Sequence, residues 1–542
     1  MRQGVQFRPL ALAAALGALA LSACSGSGSP PPAGASPAAI VPASAAAYGE
    51  LFVRPAGSLG SDAAVAARRV LGGRAPGPVL LHAIDANLHH HETYARDVEP
   101  WLGARLAAFA QLDGGAHPRP QFALLIDVRD RSALERELPR LRRNGEQRPG
   151  GAYRGVAYDV DTHDATWSGI VGSHYVGGSP AGFRGVVDTW KGGPSLAASA
   201  RYRAAVAPLD PGRLALGYVD PRAVRAGSAA LHSALLSRLL SAPALAKLKP
   251  VTATFTARPD ALTLEVDAEG DRTTKLPASD GRGAIALGAL PADAWLALAT
   301  PPLGDAFTRA FVRGVGSVPG RAGAVTAALR RATRLDLQRD VLSWLGGAGL
   351  FVRGTNPLTL GGALVLGSRD PAASQRALVR LRNTLLTAHP GSVQPIRYDR
   401  ASGFVVPLPG SPQPLFVLAR GDRVVVAFGP ASARAALDGG PRFDASDSGR
   451  AAIATLGRGF TPAFVLTVDP VLALVASTPV ARAPGFAKAL PYLKAYRSLA
   501  LGYRQDGDRF SVRLVAGLRD PRSAPSPGGG TGGSGGRLTI GD

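Results

Sequence analysis

The chain has 542 residues, a net charge of +22 and 46% hydrophobic residues, and it is rich in alanine, glycine and proline. Only six of its 61 basic residues are lysine, a skew typical of a GC-rich genome rather than of a selected phosphate-binding face. We therefore expect no nucleic acid partner, although such a charge can attract anionic lipid or anionic wall polymer. A chain of this length can form two or three domains on apolar cores alone.

The first 23 residues have the form of a bacterial signal peptide. A basic start is followed by an apolar run at residues 9–21, which is shorter than the roughly 20 residues that a spanning helix needs. The run ends in Leu-Ser-Ala-Cys, the pattern of a lipobox, and Cys24 is the only cysteine of the sequence. We expect cleavage before Cys24 and lipidation of its thiol, so that the lipid holds the protein on the extracytoplasmic face of a membrane.

Cleavage has consequences for charge and chemistry. Loss of Arg2 and Arg8 lowers the net charge from +22 to +20. Lipidation of Cys24 leaves no thiol for a disulfide, a metal or a nucleophile. The expected location is the outer face of the cytoplasmic membrane in a Gram-positive envelope, or a periplasm-facing membrane in a Gram-negative one.

Two segments have compositions that cannot form a packed core. Residues 24–40 are rich in serine, glycine and proline, and we predict a flexible tether there. Residues 521–542 contain a run rich in glycine, which predicts a disordered tail.

The region between them contains matches typical of an internal duplication. Residues 97–103 and 340–346 agree at five of seven positions, and Trp101 and Trp344 occupy the same place. We predict two homologous lobes, residues 41–275 and 289–520, joined by a linker at residues 276–288. The other matches keep the same order: Val41-Pro42-Ala43 with Leu290-Pro291-Ala292, Arg129-Asp130 and Leu141-Arg142 with Arg369-Asp370 and Leu381-Arg382, and Val219-Asp220-Pro221 with Val468-Asp469-Pro470.

Each predicted lobe alternates short apolar runs with helical periodicity. The runs predict largely buried strands at residues 122–128 and 363–366, each followed by an amphipathic helix. Further runs predict a strand at residues 213–219 and two closing hairpins, at residues 252–266 and 499–515. The fold class is therefore predicted to be α+β, with a mainly antiparallel sheet and a few packed helices in each lobe. Trp101 and Trp344 are expected in the core.

The order of these motifs resembles the DUF3352 proteins. The motifs are Pro-Ala-x-Ala, Asp-Val-x-Pro-Trp-Leu-Gly, Tyr-Arg-Gly-Val at residues 153–156, Ser-Leu-Ala at residues 195–197, and a strand that ends in Tyr-Val-Asp-Pro. The second half departs from the pattern at Ser343, where the family motif has proline. The resemblance implies an exported or membrane-attached bacterial protein of unknown function, and it implies no activity.

A run of histidines is the most conspicuous candidate for metal binding. His89, His90, His91 and Glu92 carry side chains that zinc accepts. Consecutive histidines point in different directions, however, and the matching positions of the second half, residues 332–335, are Ala, Thr, Arg and Leu. We interpret the run as solvated and expect neither a metal nor a cofactor.

Aspartates that follow predicted strands are the candidates for acid–base chemistry. Helix capping explains all of them, and they recur in both halves: Asp130, Asp220, Asp370 and Asp469. His163 and Asp164, with Ser168 nearby, are hydrolase residue types, but the chain has no Gly-x-Ser-x-Gly motif. We therefore expect no catalytic residue, and Cys24 is the single site residue that we predict.

Three functions remain open. The leading hypothesis is a non-catalytic envelope lipoprotein that binds or scaffolds at the cell surface. The second is a carrier or sensor of a hydrophobic or wall-derived ligand held between the two lobes, and the third is a hydrolase without a linear motif. Because ligand sites favour clefts between domains, we also expect a ligand to lie between the lobes and near the loop at residues 163–167.

Overall fold

A computed structural model of the chain describes residues 36–71, 94–112, 120–143, 147–226, 249–270, 281–300, 337–388 and 393–520. Cys24 with the predicted signal peptide, the histidines at positions 89–91 and the predicted tail at 521–542 lie outside the described residues.

Antiparallel strands of both halves of the chain form one continuous sheet. The strands of the first half are β1 (Ala47–Phe52), β2 (Leu102–Leu112), β3 (Pro120–Val128), β4 (Gln147–Tyr153), β5 (Val156–Asp161), β6 (Trp167–Val171), β7 (His174–Gly178), β8 (Ala215–Val219), β9 (Val251–Arg258) and β10 (Ala261–Glu269). Those of the second half are β11 (Ala294–Ala299), β12 (Leu345–Arg353), β13 (Gly361–Ser368), β14 (Gln394–Tyr398), β15 (Ala401–Val406), β16 (Leu415–Arg420), β17 (Arg423–Phe428), β18 (Thr461–Thr467), β19 (Tyr496–Asp506) and β20 (Arg509–Leu518).

The hydrogen-bonded pairs place the strands in the order β4-β5-β6-β7-β3-β2-β1-β8-β9-β10-β20-β19-β18-β11-β12-β13-β17-β16-β15-β14. Counted inward from the edge strand β4, the strands of the first half have the order 4-5-6-7-3-2-1-8-9-10. Counted inward from the other edge strand, β14, the strands of the second half have the same order with each number raised by ten. The two halves meet where β10 pairs with β20.

Helices cover parts of both faces of this sheet. The described α-helices are α1 (Gly57–Val70), α2 (Arg131–Arg143), α3 (Pro180–Trp190), α4 (Ala200–Val206), α5 (Pro221–Ala226), α6 (Pro371–Ala388), α7 (Pro430–Leu437), α8 (Asp447–Ala454), α9 (Val468–Ala476) and α10 (Pro484–Leu493). In the first half α3 packs on β3, β6 and β7, with Phe183 in the core. In the second half α7 packs on β13 and β17, next to Phe351 and Phe443. The fold class is α+β, as predicted.

The tryptophan motif that occurs twice in the sequence forms the same local structure in both halves. A π-helical turn, at Tyr94–Val98 or Leu337–Leu342, precedes each tryptophan. The indole N–H of Trp101 donates to the carbonyl of Asp97 at 2.7 Å, and that of Trp344 donates to Asp340 at 2.6 Å. Both indoles are buried, as predicted.

A buried carboxylate accompanies each of these tryptophans. Asp97 and Asp340 are both almost fully buried. Asp97 forms an ion pair with Arg140 of α2, and Asp340 forms one with Arg380 of α6 at 3.0 Å. Because a charge withdrawn from water needs a partner of opposite sign, these pairs tie each helix to the π-helical turn before the tryptophan.

Two predicted boundaries differ from the structure. Residues 36–40, at the end of the predicted tether, are packed, and the short 3₁₀ helix Pro37–Ala39 buries Ala38. The later part of the predicted linker is also packed, with Ile285 and Leu287 in the core of the second half. The small residues and glycines of both segments predict flexibility. Each segment nevertheless precedes the first strand of its half and packs against the core of that half.

The sequence predicts a largely buried strand at residues 122–128, but the structure buries only one face of it. Ala123 and Leu125 are buried, whereas Phe122 and Leu124 are each 40% exposed. A continuous apolar run usually indicates a strand that is covered on both faces. In β3, however, one face presents apolar side chains to solvent.

Candidate functional site

A cavity of about 790 Å³ lies on one face of the sheet where the two halves meet. Strands β1, β8, β9 and β10 contribute to its wall from the first half, and β18, β19 and β20 from the second. Phe255, Leu264 and Leu514 are among its lining residues. The volume falls within the range of about 300–1,000 Å³ that is typical of ligand pockets.

Small residues form part of the cavity floor. Gly49 of β1 pairs with Gly217 of β8, and Gly217 pairs with Ala253 of β9. A Cβ added to Gly49 or Gly217 would meet its nearest neighbour at 3.7 or 3.6 Å, an ordinary contact distance. The glycines therefore do not serve close packing, and the space above them belongs to the cavity.

Helices α9 and α10 form the opposite wall. Val471, Leu472 and Val475 of α9 and Phe486 of α10 line the cavity. No residue of α10 is buried, so this helix presents apolar side chains to the cavity without filling it. A protein interior is normally packed without such spaces, which makes an unfilled apolar volume a candidate ligand site.

Partly exposed apolar side chains extend the same face beyond the cavity. Cross-strand pairs point to the same side of a sheet. Leu124 pairs with Ala108, which pairs with the cavity residue Gly49, and this register places Leu124 on the cavity face. Six of the eleven large apolar side chains that are exposed among the described residues share this face: Phe122, Leu124, Val219, Leu264, Leu298 and Leu514.

Charged side chains hold the two halves together on the other face. Glu265 of β10 lies directly opposite Arg513 of β20, and two guanidinium N–H groups donate to its carboxylate at 2.6 and 3.0 Å. Asp267 is paired with Ser511, whose hydroxyl donates to it at 2.6 Å. The junction thus has an apolar side, which lines the cavity, and a charged side, which faces away from it.

A cluster of tyrosines lies behind the floor of the cavity. Tyr48 donates a hydrogen bond of 2.7 Å to Glu50, and both side chains point to the core of the first half. Burial raises the pKa of Tyr48 and Tyr202 well above the ordinary value, and it raises the pKa of Tyr218 to about 12. The neutral phenols are therefore the stable form in the folded state, and their contribution to stability is lost only as the pH rises above 10.

Helix capping explains three of the four aspartates that were candidates for acid–base chemistry. Asp130 accepts a hydrogen bond from the amide of Ala133 at 3.0 Å, and Asp370 accepts one from Ala373 at 2.9 Å. Asp220 accepts one from Arg222 at 2.9 Å.

The fourth aspartate is not a cap. Helix α9 begins with Thr467 at its N-cap, so Asp469 lies in the first turn, where it forms an ion pair with Arg519. The prediction that Asp469 caps a helix was therefore wrong. In the first half, α5 begins at the proline of the Val-Asp-Pro motif, whereas in the second half α9 begins at the valine of that motif.

The loop at residues 163–167 lies away from the cavity. Three strands separate β6, which begins at Trp167, from β1, the nearest strand of the cavity wall. The Trp167 ring instead stacks on Tyr158 at 3.9 Å and lies under the guanidinium of Arg184. The expectation that a ligand site between the halves would lie near this loop is therefore wrong for this cavity.

Sequence reasoning missed the residues of the cavity itself. The signal was present in β10, where Leu262, Leu264 and Val266 alternate with polar residues. Such alternation predicts that one face of the strand is apolar. Because an apolar face of a sheet normally packs against a core, the pattern by itself does not predict a cavity. Only the pairing of β10 with β20 shows that this face borders an unfilled space.

The described part of the chain contains no group of three or more histidine, cysteine, aspartate or glutamate side chains that could hold a metal ion. Within the same residues, no helix is both long enough and apolar enough to cross a membrane.

The fold and the cavity define a class of α+β protein in which one antiparallel sheet borders a central apolar space. The chain belongs to the DUF3352 family, whose description is "Protein of unknown function (DUF3352)", with residues 90–511 matched. The resemblance seen in the motifs is thereby confirmed. No curated protein matches the chain.

Solved structures give only a distant similarity. Crystal form I of TP0453 is 13% identical, with 44% of this chain and 79% of that chain covered and a TM-score of 0.25. Crystal form III of TP0453 is 14% identical, with coverage of 45% and 84% and a TM-score of 0.26. Similarity at this level supports no conclusion about function.

Proposed function

We propose that this protein is a non-catalytic, lipid-anchored envelope protein that binds the hydrocarbon chain of a membrane lipid in the central cavity. The observation that carries the proposal is the cavity of about 790 Å³ and its apolar lining. Of the three hypotheses drawn from the sequence, this favours a binding role and, within it, an apolar ligand.

The chemistry of the lining supports an apolar ligand rather than a reaction. Glu50, Thr254 and Tyr496 are the lining residues with polar side chains among those described. Glu50 points to the core behind the floor, and Thr254 lies on the charged face because it pairs with Glu265. Hydrocarbon is the ligand chemistry that such a surface stabilises, since each buried methylene contributes about 0.8 kcal/mol.

We also infer that the chain consists of two tandem homologous lobes related by a pseudo-twofold axis. The identical strand order and the repeated Trp–Asp–Arg arrangement support this. The hairpin turns between β9 and β10 and between β19 and β20 each have two residues, and Glu265 and Arg513 lie at the same distance after them. These two equivalent residues pair with each other, as residues on a twofold axis do.

Neutral n-alkanols of increasing chain length are the sharpest probe of the cavity, because they carry no charge that another site could bind. In competition with a fluorescent apolar probe, each added methylene should tighten binding about fourfold until the cavity is full. An affinity that does not depend on chain length would contradict the proposal.

A substitution that fills the cavity should remove this binding. Gly217→Leu places a side chain above the floor without backbone strain, because the φ of Gly217 is not positive and its added Cβ has room. We expect at least about tenfold weaker alkanol binding with an unchanged urea unfolding midpoint.

Gly440→Leu is the matched control, since nothing lies within 4 Å of its added Cβ and it does not line the cavity. It should bind alkanols as the unaltered protein does. Equal affinity of the Gly217→Leu and Gly440→Leu proteins would show that the ligand lies elsewhere.

Lipidation of Cys24 is the part of the proposal that places the cavity at a membrane. Cys24→Ala should release the protein from membranes or leave it unprocessed, because both lipidation and cleavage need the thiol. Membrane fractionation and gel mobility measure this, with Ser25→Ala as the control that stays anchored. Normal anchoring of the Cys24→Ala protein would refute the lipoprotein assignment while leaving the cavity proposal to its own test.

A further inference from the structure

A second pocket, of about 380 Å³, lies in the second half between α6 and the β14–β15 hairpin. Its wall combines apolar side chains, such as Leu378 and Phe404, with the guanidinium groups of Arg382 and Arg397. No aspartate or glutamate occurs among the described residues that line it. The pocket is therefore positively charged and apolar at once, unlike the central cavity.

The equivalent place in the first half contains an internal ion pair. Arg142 of α2 donates through Nε and Nη2 to the carboxylate of Asp159, at 3.0 and 2.8 Å. Asp159 is only 4% exposed, so the carboxylate fills the space beside the guanidinium. This is the planar, two-point geometry in which arginine binds a carboxylate most strongly.

The second half keeps the arginine but lacks the carboxylate. Arg382 is equivalent to Arg142, because Arg140 and Arg380, each two residues earlier, form the matching ion pairs with the buried aspartates. Asp159 and Phe404 are each the fourth residue after a two-residue hairpin turn, so Phe404 takes the place of the aspartate.

The consequence is a guanidinium N–H group without a partner. The Nε of Arg382 is buried and has no hydrogen-bond partner in the described part of the chain. A buried donor of a charged group that lacks an acceptor is unfavourable, and a ligand that supplies the acceptor removes that penalty. Arg397, which pairs with Ser402 across the hairpin, adds a second positive charge to the same pocket.

We propose that this pocket binds a small apolar carboxylate, with the carboxylate on Arg382 in the manner of Asp159 on Arg142 and the apolar body against Leu378 and Phe404. The site is separate from the central cavity and does not rest on the function proposed for it.

Benzoate and butyrate, each compared with its uncharged amide, test the proposal on the purified full chain by saturation-transfer NMR. Both carboxylates should bind, and benzamide and butyramide should bind at least about tenfold more weakly, because they lack the charge. Inorganic phosphate should compete less well than butyrate. Equal binding of benzoate and benzamide, or stronger competition by phosphate, would overturn a planar carboxylate site.

Two arginine variants locate the site. Arg382→Gln should weaken benzoate binding by about tenfold or more. Arg376→Gln is the matched control, since it removes the same charge from the exposed surface of α6 and does not line the pocket. If the Arg382→Gln protein binds benzoate as tightly as the Arg376→Gln protein, the inference is wrong.

Phe404→Asp supplies an independent variant, because it rebuilds the ion pair of the first half inside the second. It should abolish benzoate binding while Arg382 stays in place. Since Phe404 is buried, its folding is checked by circular dichroism, and the two arginine variants decide the question if it fails to fold.

Discussion

Replacing Trp344 with alanine should lower the free energy of unfolding by about 3–5 kcal/mol, the usual range for removing a buried tryptophan. The indole is 3% exposed, packs against Leu345, Ala377 and Val424, and donates a hydrogen bond to the carbonyl of Asp340. Removal leaves a cavity and also leaves that carbonyl without its donor. Trp101→Ala should have an effect of similar size in the first half, where the buried indole packs against Ala133 and Leu134 and donates a hydrogen bond to the carbonyl of Asp97.

Urea unfolding followed by circular dichroism measures the effect, and Trp190→Ala is the matched control. Trp190 is 41% exposed, and the ammonium group of Lys191 lies 4.5 Å from the centre of its ring. Its replacement should change the free energy of unfolding by less than about 1 kcal/mol. Equal midpoints for the Trp344→Ala and Trp190→Ala proteins would show that the tryptophan motif is not a core element.

Local sequence signals were sufficient for several elements of the fold. The apolar run at residues 363–366 lies in β13, and Asp370 caps the helix that follows it, as predicted. The two closing hairpins also form as predicted, with a two-residue turn at Gly507 and Asp508 in the second. These features depend on contacts within a few residues, which an alternating pattern or a turn residue records directly.

The continuous sheet could not be predicted in the same way. The pair of β10 and β20 joins residues that are far apart in the sequence, such as Glu265 and Arg513, which are 248 positions apart. Their side chains are compatible in charge, but so are many other pairs in a chain with 61 basic residues. Register across such a distance is set by the packing of both halves, which no local pattern encodes.

The central cavity and the pocket at Arg382 were hidden for a related reason. The central cavity is lined from Gly49 to Ala516, so its residues are contiguous only in the fold. The pocket at Arg382 becomes visible only when the two halves are compared residue by residue, because a single arginine on a helix is an ordinary surface feature. The match of Leu141-Arg142 with Leu381-Arg382 was visible in the sequence, but the loss of the partner at Phe404 was not.

Reversing the charge at the junction should destabilise the protein strongly. In Arg513→Glu, the new carboxylate would face Glu265 directly across the β10–β20 pair. The change also removes the hydrogen bond from Arg513 to the carbonyl of Leu456 at 2.7 Å and the contact of the guanidinium with the ring of Phe460 at 4.1 Å. Since the pair is half-buried, we expect a loss of about 2–4 kcal/mol, between the values for exposed and buried pairs.

The double reversal separates the ion pair from the other contacts of Arg513. Adding Glu265→Arg to Arg513→Glu restores opposite charges across the junction, and it should recover part of the lost stability. Recovery should be incomplete, because Arg504 already lies 3.7 Å from the Glu265 carboxylate and would repel an arginine there. The exposed pair of Arg131 and Glu135 gives the control, since Arg131→Glu should cost less than about 1 kcal/mol. The measurement compares the urea unfolding midpoints of the unaltered protein, the Arg513→Glu protein, the double variant and the Arg131→Glu protein. If Arg513→Glu is no more destabilising than Arg131→Glu, then the two halves do not depend on this pair to stay joined.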